Sequence, residues 1–305
     1  MIILTGPTAA GKTELSLKLA ERLGGEIISA DSMQVYRGMD IGTAKITRDE
    51  MRGIPHHLID VLEPEEDFNV AVFKDMAKAA AEDIISGGHV PIVVGGTGFY
   101  IQALLYDISF NEEADDGYRL ELEKLAETES GRIELYELLT EIDKPSTEKI
   151  HANNIKRVIR ALEFYHHNGY PISEHNESER QRETAYDSRY FVLTMDRQRL
   201  YERINLRVDM MMEAGLVDEV RGLIDRGLSP EKNVSMQGIG YKEMYDYLTG
   251  KITRDAAVET IKQNTRHFAK RQLTWFRRER DVIWVDKDTF MDEDSILEYI
   301  IEKSK

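Results

Sequence analysis

The sequence predicts an α/β protein: a parallel, helix-covered sheet core of P-loop NTPase-like type, interrupted by an inserted all-helical subdomain. Three observations predict it. Short apolar runs ending in glycine or a small polar residue alternate with amphipathic stretches, the texture of consecutive βαβ units. The first run opens directly into GPTAAGKT, Gly6 to Thr13, which has the G-x-x-x-x-G-K-T spacing of a phosphate-binding loop. From about Phe110 to Asp187 the buried-strand signal stops, and charged helical segments replace it.

Taken in order, Ile2–Thr5 reads as a short buried strand, followed by the glycine-rich loop and an amphipathic helix through about Leu23. Glu26–Ser29 is a second strand ending at Ala30-Asp31-Ser32. A helix from about Val70 to Ile85 has an alanine-rich face, and Gly87-Gly88 turns the chain into a third strand, Val90–Val94, which ends in Gly95-Gly96-Thr97-Gly98. Tyr190–Met195 returns to the core, and a late strand falls near Val282–Val285 in an otherwise helical remainder. The core is therefore expected over 1–109 and 190–305, with the insertion over 110–189. Ligands in such sheets sit beyond the carboxyl ends of the strands, which brings Gly6–Thr13, Asp31-Ser32 and Gly95–Gly98 to one edge.

Composition narrows the function classes. The 305 residues carry a net charge of −16, which argues against a surface that coats nucleic acid uniformly. Basic residues nevertheless cluster: Arg266, Lys270, Arg271, Arg277, Arg278 and Arg280 flank Trp275 and Phe276, while the acidic excess gathers around Glu112–Glu141. There are no cysteines, which removes disulfides, thiolate nucleophiles and cysteine zinc sites. No apolar run approaches a membrane span, and with the first strand beginning at once no signal or transit peptide is expected. A cytoplasmic monomer with no membrane contact is expected.

Each motif has a chemical reading. In Gly6–Thr13 the backbone amides and helix N-terminus would cradle phosphate oxygens, Lys12 would add a point charge, and Thr13 would bind Mg²⁺. A nucleotide hydrolase of this type has an apolar strand ending in aspartate, but PIVVGG ends in glycine. Asp31 has two roles open to it, proton acceptor facing the phosphate or cap of the following turn. Gly95–Gly98 permits close backbone approach and offers the Thr97 hydroxyl, though taken alone a plain strand-to-helix turn is the favoured reading. His56 and His57 are adjacent and do not share a face, so a structural or substrate-lining role fits better than a metal pair. Lys156, Arg157 and Arg160 form the basic face of an amphipathic helix whose apolar side is Ile155, Val158, Ile159 and Leu162. Arg203 and Arg207, four apart, could reach a pyrophosphate; Met210, Met211 and Met212 read as core packing.

Together, GPTAAGKT, DSMQVYRGMDIGTAK, GIPHHLIDV, VGGTGFY, RVIRALE, QGIGYKEM and AKRQLTWFR resemble, in order, the landmarks of bacterial tRNA dimethylallyltransferases, from Ile2 to about Arg278. The resemblance implies transfer of a dimethylallyl group from dimethylallyl diphosphate to N6 of the adenosine on the 3′ side of the anticodon. It makes Asp31 the general base, places Thr97 at the reacting adenine and Arg207 on the leaving group. Gly6, Thr8, Ala9, Ala10, Gly11, Lys12, Thr13 and Arg203 would hold the diphosphate, with Thr13 on Mg²⁺. Asp31, Ser32, Met33, Gln34, Arg119, Lys156, Arg157, Arg160 and the run Gln237, Gly238, Ile239, Gly240, Tyr241 and Lys242 would touch tRNA, the insertion gripping the anticodon stem-loop. Ala10 stands where serine is common, HANN at His151–Asn154 replaces HPND, and Ile46 and Asn69 also depart from the common residues. The competing readings are a prenyltransferase of free adenine nucleotides, a small-molecule P-loop kinase and a non-catalytic RNA-binding protein.

Overall fold

Six parallel strands form one sheet: β1 (Ile2–Thr5), β2 (Gly25–Ala30), β3 (His56–His57), β4 (Val90–Gly95), β5 (Arg189–Thr194) and β6 (Val282–Asp286), in the order β3-β2-β4-β1-β5-β6. The computed structural model describes residues 1–110 and 116–305. Its helices are α1 (Lys12–Leu23), α2 (Val70–Ser86), α3 (Gly98–Leu105), α4 (Tyr118–Leu125), α5 (Glu129–Ile142), α6 (Lys144–Thr147), α7 (Ile155–Asn168), α8 (Ile172–Gln181), α9 (Arg197–Glu213), α10 (Leu216–Asp225), α11 (Tyr241–Leu248), α12 (Arg254–Phe276) and α13 (Glu293–Ser304). The chain divides into Met1–Asp107 with Ala185–Lys305, and Ile108–Thr184.

Period-two alternation sends the strand side chains to two separate cores. Ile2, Leu4, Ile27, Ile92, Phe191 and Leu193 face α1 and α13, packing on Leu15, Leu19, Ile296 and Ile300. Ile3, Ile28, Val93, Tyr190 and Val192 face the other way, onto Phe73 of α2, Ile101 of α3, Val220 of α10, Met244 of α11 and Phe276 of α12. Every residue of β1 is buried, as a central strand covered on both faces requires. From β1 the chain moves to β2, on the far side of β4; from β4 it moves to β5, on the far side of β1. The order therefore reverses between β1 and β4, and the crevice beyond their carboxyl ends is the expected ligand position.

Among the described residues the unit Ile108–Thr184 is helical throughout its regular structure and has a core of its own, Leu122, Leu135, Leu139, Val158, Ile159 and Leu162. Buried Asp143 organises one end: its carboxylate accepts from Ser146 N at 3.2 Å, Ser146 Oγ at 2.6 Å and Ser173 N at 3.0 Å. The HANN segment leaves α7 with Asn154 at its N-cap and no side-chain cap bond, a loss worth roughly 1 kcal/mol of helix stability. Asn69, by contrast, caps α2 by accepting from Ala71 N at 2.9 Å and Val72 N at 3.1 Å.

Three differences from the sequence expectations stand out. The two-residue strand β3 has no apolar run to announce it, since it is made of the histidine pair. Met211 and Met212 pack against the core, but Met210 is 58% exposed, because α9 turns that position to solvent. Glu112, at the start of the acidic stretch, lies outside the described residues.

Candidate active site

Strand β1 ends in a loop that wraps back on itself before α1 begins. Ala10 N donates to Pro7 O at 3.2 Å, and Lys12 Nζ donates to Gly6 O at 3.0 Å and Pro7 O at 2.9 Å. The first-turn amides of α1 have no intrahelical acceptor and point out of the helix N-terminus, which makes them anion donors. Ala10 is fully buried among the residues over α1, so the methyl group is part of the core and its backbone still completes the loop. The Lys12 ammonium is pushed down to about 8, first by burial and then by the charge of Arg207, with Asp31 pulling the other way. Burial likewise lowers Arg207, Asp31 raises it, and Arg203 lowers it further. Lys12, Arg207 and Asp31 are therefore close enough to act on one another.

Helix α9 supplies both arginines. Arg203 Nε donates to Ala9 O in the phosphate loop at 2.8 Å, and Arg207 Nη2 reaches Ala44 O at 3.5 Å. Their i, i+4 spacing puts both on the α9 face that meets the strand ends.

Across β4 from the loop, Asp31 follows β2 directly. Its Oδ1 accepts from Met33 N at 2.9 Å, so the capping role is real, and among the described residues Oδ2 makes no hydrogen bond. One carboxylate oxygen shapes the turn while the other is available to take a proton. Thr97 N donates to Ala30 O at 3.3 Å, which fixes Thr97 against the residue preceding Asp31. The Thr97 hydroxyl does not cap α3.

A residue that sequence reasoning missed ties these pieces together. Gln272, buried on α12, accepts from Thr8 N at 2.9 Å through Oε1 and donates to Gly96 O at 3.0 Å through Nε2. It bridges the phosphate loop and the Gly95–Gly98 turn. The Thr8 amide is thereby committed to Gln272, so Thr8 is left to meet a phosphate through its hydroxyl. A Cβ on Gly96 would collide with the Gln272 amide, and one on Gly98 with the Trp275 ring. Both glycines are required because α12 packs directly onto this turn.

The segment after Asp31 is clamped from α10. The Glu219 carboxylate accepts from the amides of Asp40 at 2.9 Å, Ile41 at 2.7 Å and Gly42 at 3.0 Å, and from Tyr241 Oη at 2.7 Å. Lys45, almost wholly buried, donates to Tyr36 O at 2.5 Å and pairs with Asp40 at 2.7 Å and Asp60 at 2.6 Å. Gln34 is tied inward by Ser29 Oγ at 3.4 Å and Thr43 O at 3.3 Å.

The other expected site residues divide. Within Gln237–Lys242, Gln237 and Lys242 are exposed, Gly238 lies against Met33, and Gly240 and Tyr241 are buried. Tyr241 thus holds the loop through Glu219 and presents no side-chain surface. In the helical unit, Lys156 and Arg157 are exposed and form no ion pair among the described residues. Arg119 and Arg160 both reach Glu163, at 3.1 and 3.4 Å. His57 pairs with Glu26 at 2.7 Å, and His56 contacts Ile54 O at 2.8 Å, a structural role. On α12, Arg266 bonds Asn205 at 2.6 Å, while Lys270 and Arg277 join Arg197 around Leu200, Tyr201 and Leu273.

Comparison with known proteins follows the same site. The IPP transferase family model matches residues 34–279. A tRNA dimethylallyltransferase of Lachnoclostridium phytofermentans is 57% identical over 303 residues, covering 99% of this chain and 96% of the relative. That of Bacillus anthracis is 50% identical over 299 residues, 98% of this chain and 94% of its own. Among solved structures, the full-length tRNA isopentenylpyrophosphate transferase of Bacillus halodurans superposes with a TM-score of 0.74 at 47% identity, covering 99% of this chain and 95% of that one. A eukaryotic dimethylallyltransferase described as acting on tRNA gives 0.83 at 31% identity, covering 98% and 77%.

Proposed function

Since the chain belongs to the IPP transferase family, we propose that it transfers a dimethylallyl group from dimethylallyl diphosphate to N6 of the adenosine 3′ to the tRNA anticodon. The observation that carries this is the phosphate loop with Asp31 and Thr97 beside it and no aspartate at the end of β4. As the C–N bond forms at the allylic carbon, the C–O bond to diphosphate breaks. The proton lost from the amine goes to Asp31 Oδ2, the carboxylate oxygen left open by the turn. Thr97 positions the adenine, which must leave its stack to arrive, and tRNA contacts elsewhere offset that cost. The charge growing on the diphosphate is met by Lys12, Arg207 and the first-turn amides of α1.

Thr13 is exposed at the start of α1, and its hydroxyl has no partner among the described residues. A hard cation that keeps most of its shell as water and phosphate oxygen needs no more from the protein. Mg²⁺ held there would supply further neutralisation of the leaving diphosphate. Asp31–Gln34, Gln237, Lys242, Arg119, Lys156, Arg157 and Arg160 supply the tRNA contacts, the helical unit taking the anticodon stem-loop. One chain provides every reacting group, so the enzyme acts as a monomer. Among the described residues no helix is long and apolar enough to cross a membrane, and cytoplasmic tRNA is its substrate.

The test is mass spectrometry of nucleosides from unmodified tRNA incubated with dimethylallyl diphosphate and Mg²⁺ in the absence of ATP. Prenylated adenosine is expected. Prenylation of free AMP alone, or turnover that consumes ATP without a prenyl donor, would overturn the reading.

A further inference from the structure

Strand β6 is parallel to β5 and ends level with it at the ligand edge, Asp286 pairing with Thr194. The next residue, Lys287, therefore emerges where the phosphate loop lies. Its ammonium would sit 2.8 Å from a Cβ built on Gly11, and Arg203 Nη2 would sit 3.7 Å from the same point. Gly11 has φ +85°, so the loop demands glycine there twice over, for its backbone and for the lysine packed against it.

The lysine is held in place and is incompletely paired. Asp286 accepts from Asp288 N at 3.1 Å, Thr289 Oγ1 donates to Asp286 O at 2.7 Å, and Asp288 accepts from Asp196 N at 2.6 Å and pairs with Arg199. These bonds fasten the turn after β6 to the N-terminus of α9, the helix that carries Arg203 and Arg207. The Lys287 side chain is only 18% exposed, and its ion partner, Glu293, stands off at 3.5 Å while also facing Lys18 at 3.7 Å. An ammonium has three donors. One long contact with a shared carboxylate leaves most of that capacity facing the loop.

We propose that Lys287 is a further ligand of the diphosphate, joining Arg203 beside Gly11 of the phosphate loop. Glu293 holds it when no anion is bound and yields it to a phosphate oxygen when one arrives. The inference rests on the reading of the loop as a diphosphate cradle, and it adds a cation that no motif in the sequence marks.

The experiment is calorimetric titration of the full-length chain with inorganic diphosphate and Mg²⁺ at two salt concentrations, together with KM for dimethylallyl diphosphate and for tRNA. Lys287→Gln, which keeps the packing stem, is expected to weaken diphosphate binding about 5- to 20-fold and to lessen its salt dependence, leaving KM for tRNA unchanged. Glu293→Gln should move the other way and tighten binding about twofold, an opposite sign that mere structural damage would not produce. If the wild type binds and turns over but Lys287→Gln binds diphosphate within twofold of it, Lys287 is not a ligand. An equal rise in KM for tRNA would overturn the proposal too. Failure of the wild type itself to bind diphosphate would overturn the reading of the loop, and this inference with it.

Discussion

Gln272 offers the most direct test of how the two halves of the site are held together. Replacing it with leucine keeps the approximate volume and removes both polar atoms. Two neutral hydrogen bonds disappear, a half-buried one from Thr8 N to Oε1 at 2.9 Å and a buried one from Nε2 to Gly96 O at 3.0 Å. Each contributes about 0.5–1.5 kcal/mol net, and a buried partner left unsatisfied adds about 1–3 kcal/mol. Gly96 is buried and cannot recover a partner, whereas Thr8 is half-buried and can recruit water. The expected destabilisation is therefore ~2–4 kcal/mol. Gln272→Glu keeps the acceptor for Thr8 but sets a carboxylate oxygen against the Gly96 carbonyl, so it should harm the turn more than the loop. Catalysis should suffer alongside, because a shift of ~1 Å between phosphate loop and Thr97 costs about 100-fold in rate. Urea unfolding monitored by tryptophan fluorescence gives the first quantity; single-turnover prenylation of saturating tRNA gives the second. Stability within ~0.5 kcal/mol of wild type and an unchanged single-turnover rate in Gln272→Leu would show that the bridge positions nothing.

The other predictions concern charge. Asp31→Asn retains an acceptor for Met33 N but has no basic oxygen, so single-turnover rates should fall ~10²–10⁴-fold with tRNA affinity kept; lost affinity with a preserved rate would remove the base from Asp31. Lys12, lowered from 10.5 to about 8 in the free protein, should lose its charge as pH rises through 8. Diphosphate binding should then weaken above pH 8 and take up protons, measurable as a buffer-dependent calorimetric enthalpy. The sign for folding is opposite: the charged, desolvated ammonium disfavours the native state at low pH, and that penalty is relieved between about 8 and 10.5. Lys156→Ala and Arg157→Ala should each weaken tRNA binding and reduce its salt slope by about 0.7–0.9; an unchanged slope would place the stem-loop elsewhere.

What the sequence displayed and what it hid differ in physical kind. The strands β1, β2, β4 and β5 were legible because central parallel strands are continuous apolar runs. The phosphate loop and Asp31 were legible because their chemistry depends on neighbours a few residues away. The residues that make the site rigid depend on neighbours far along the chain. Gln272 meets Thr8 and Gly96, Glu219 meets Asp40 to Gly42, and Lys287 meets Gly11. A glutamine on a helix, a glutamate on another and a lysine after a strand carry no periodic signal of such a partner. Tyr241 shows the converse case. It lies in a motif that resembles a tRNA-touching segment, yet it is 1% exposed and acts through Glu219 on the loop after Asp31.

The same distinction explains why the phosphate loop alone could not name its ligand. Its amides and Lys12 would accept any phosphate chain. What distinguishes this site is the ring of side chains around the loop. Arg203 and Arg207 arrive from α9, Arg203 on Ala9 O of the loop and Arg207 within electrostatic reach of Lys12. Asp31 lies on the far side of β4 from the loop, within electrostatic reach of Lys12 and Arg207 and with one oxygen open. A fuel-burning site must hold an attacking water or hydroxyl against the terminal phosphorus, and needs a base there. Here the carboxylate proposed as the base follows β2, and the oxygen left open by the turn is free to accept the proton of an incoming amine. Lys12 and Arg203 are bonded to carbonyls of the phosphate loop and Arg207 lies within electrostatic reach of Lys12, the concentration of positive charge that the proposed departure of a diphosphate would require.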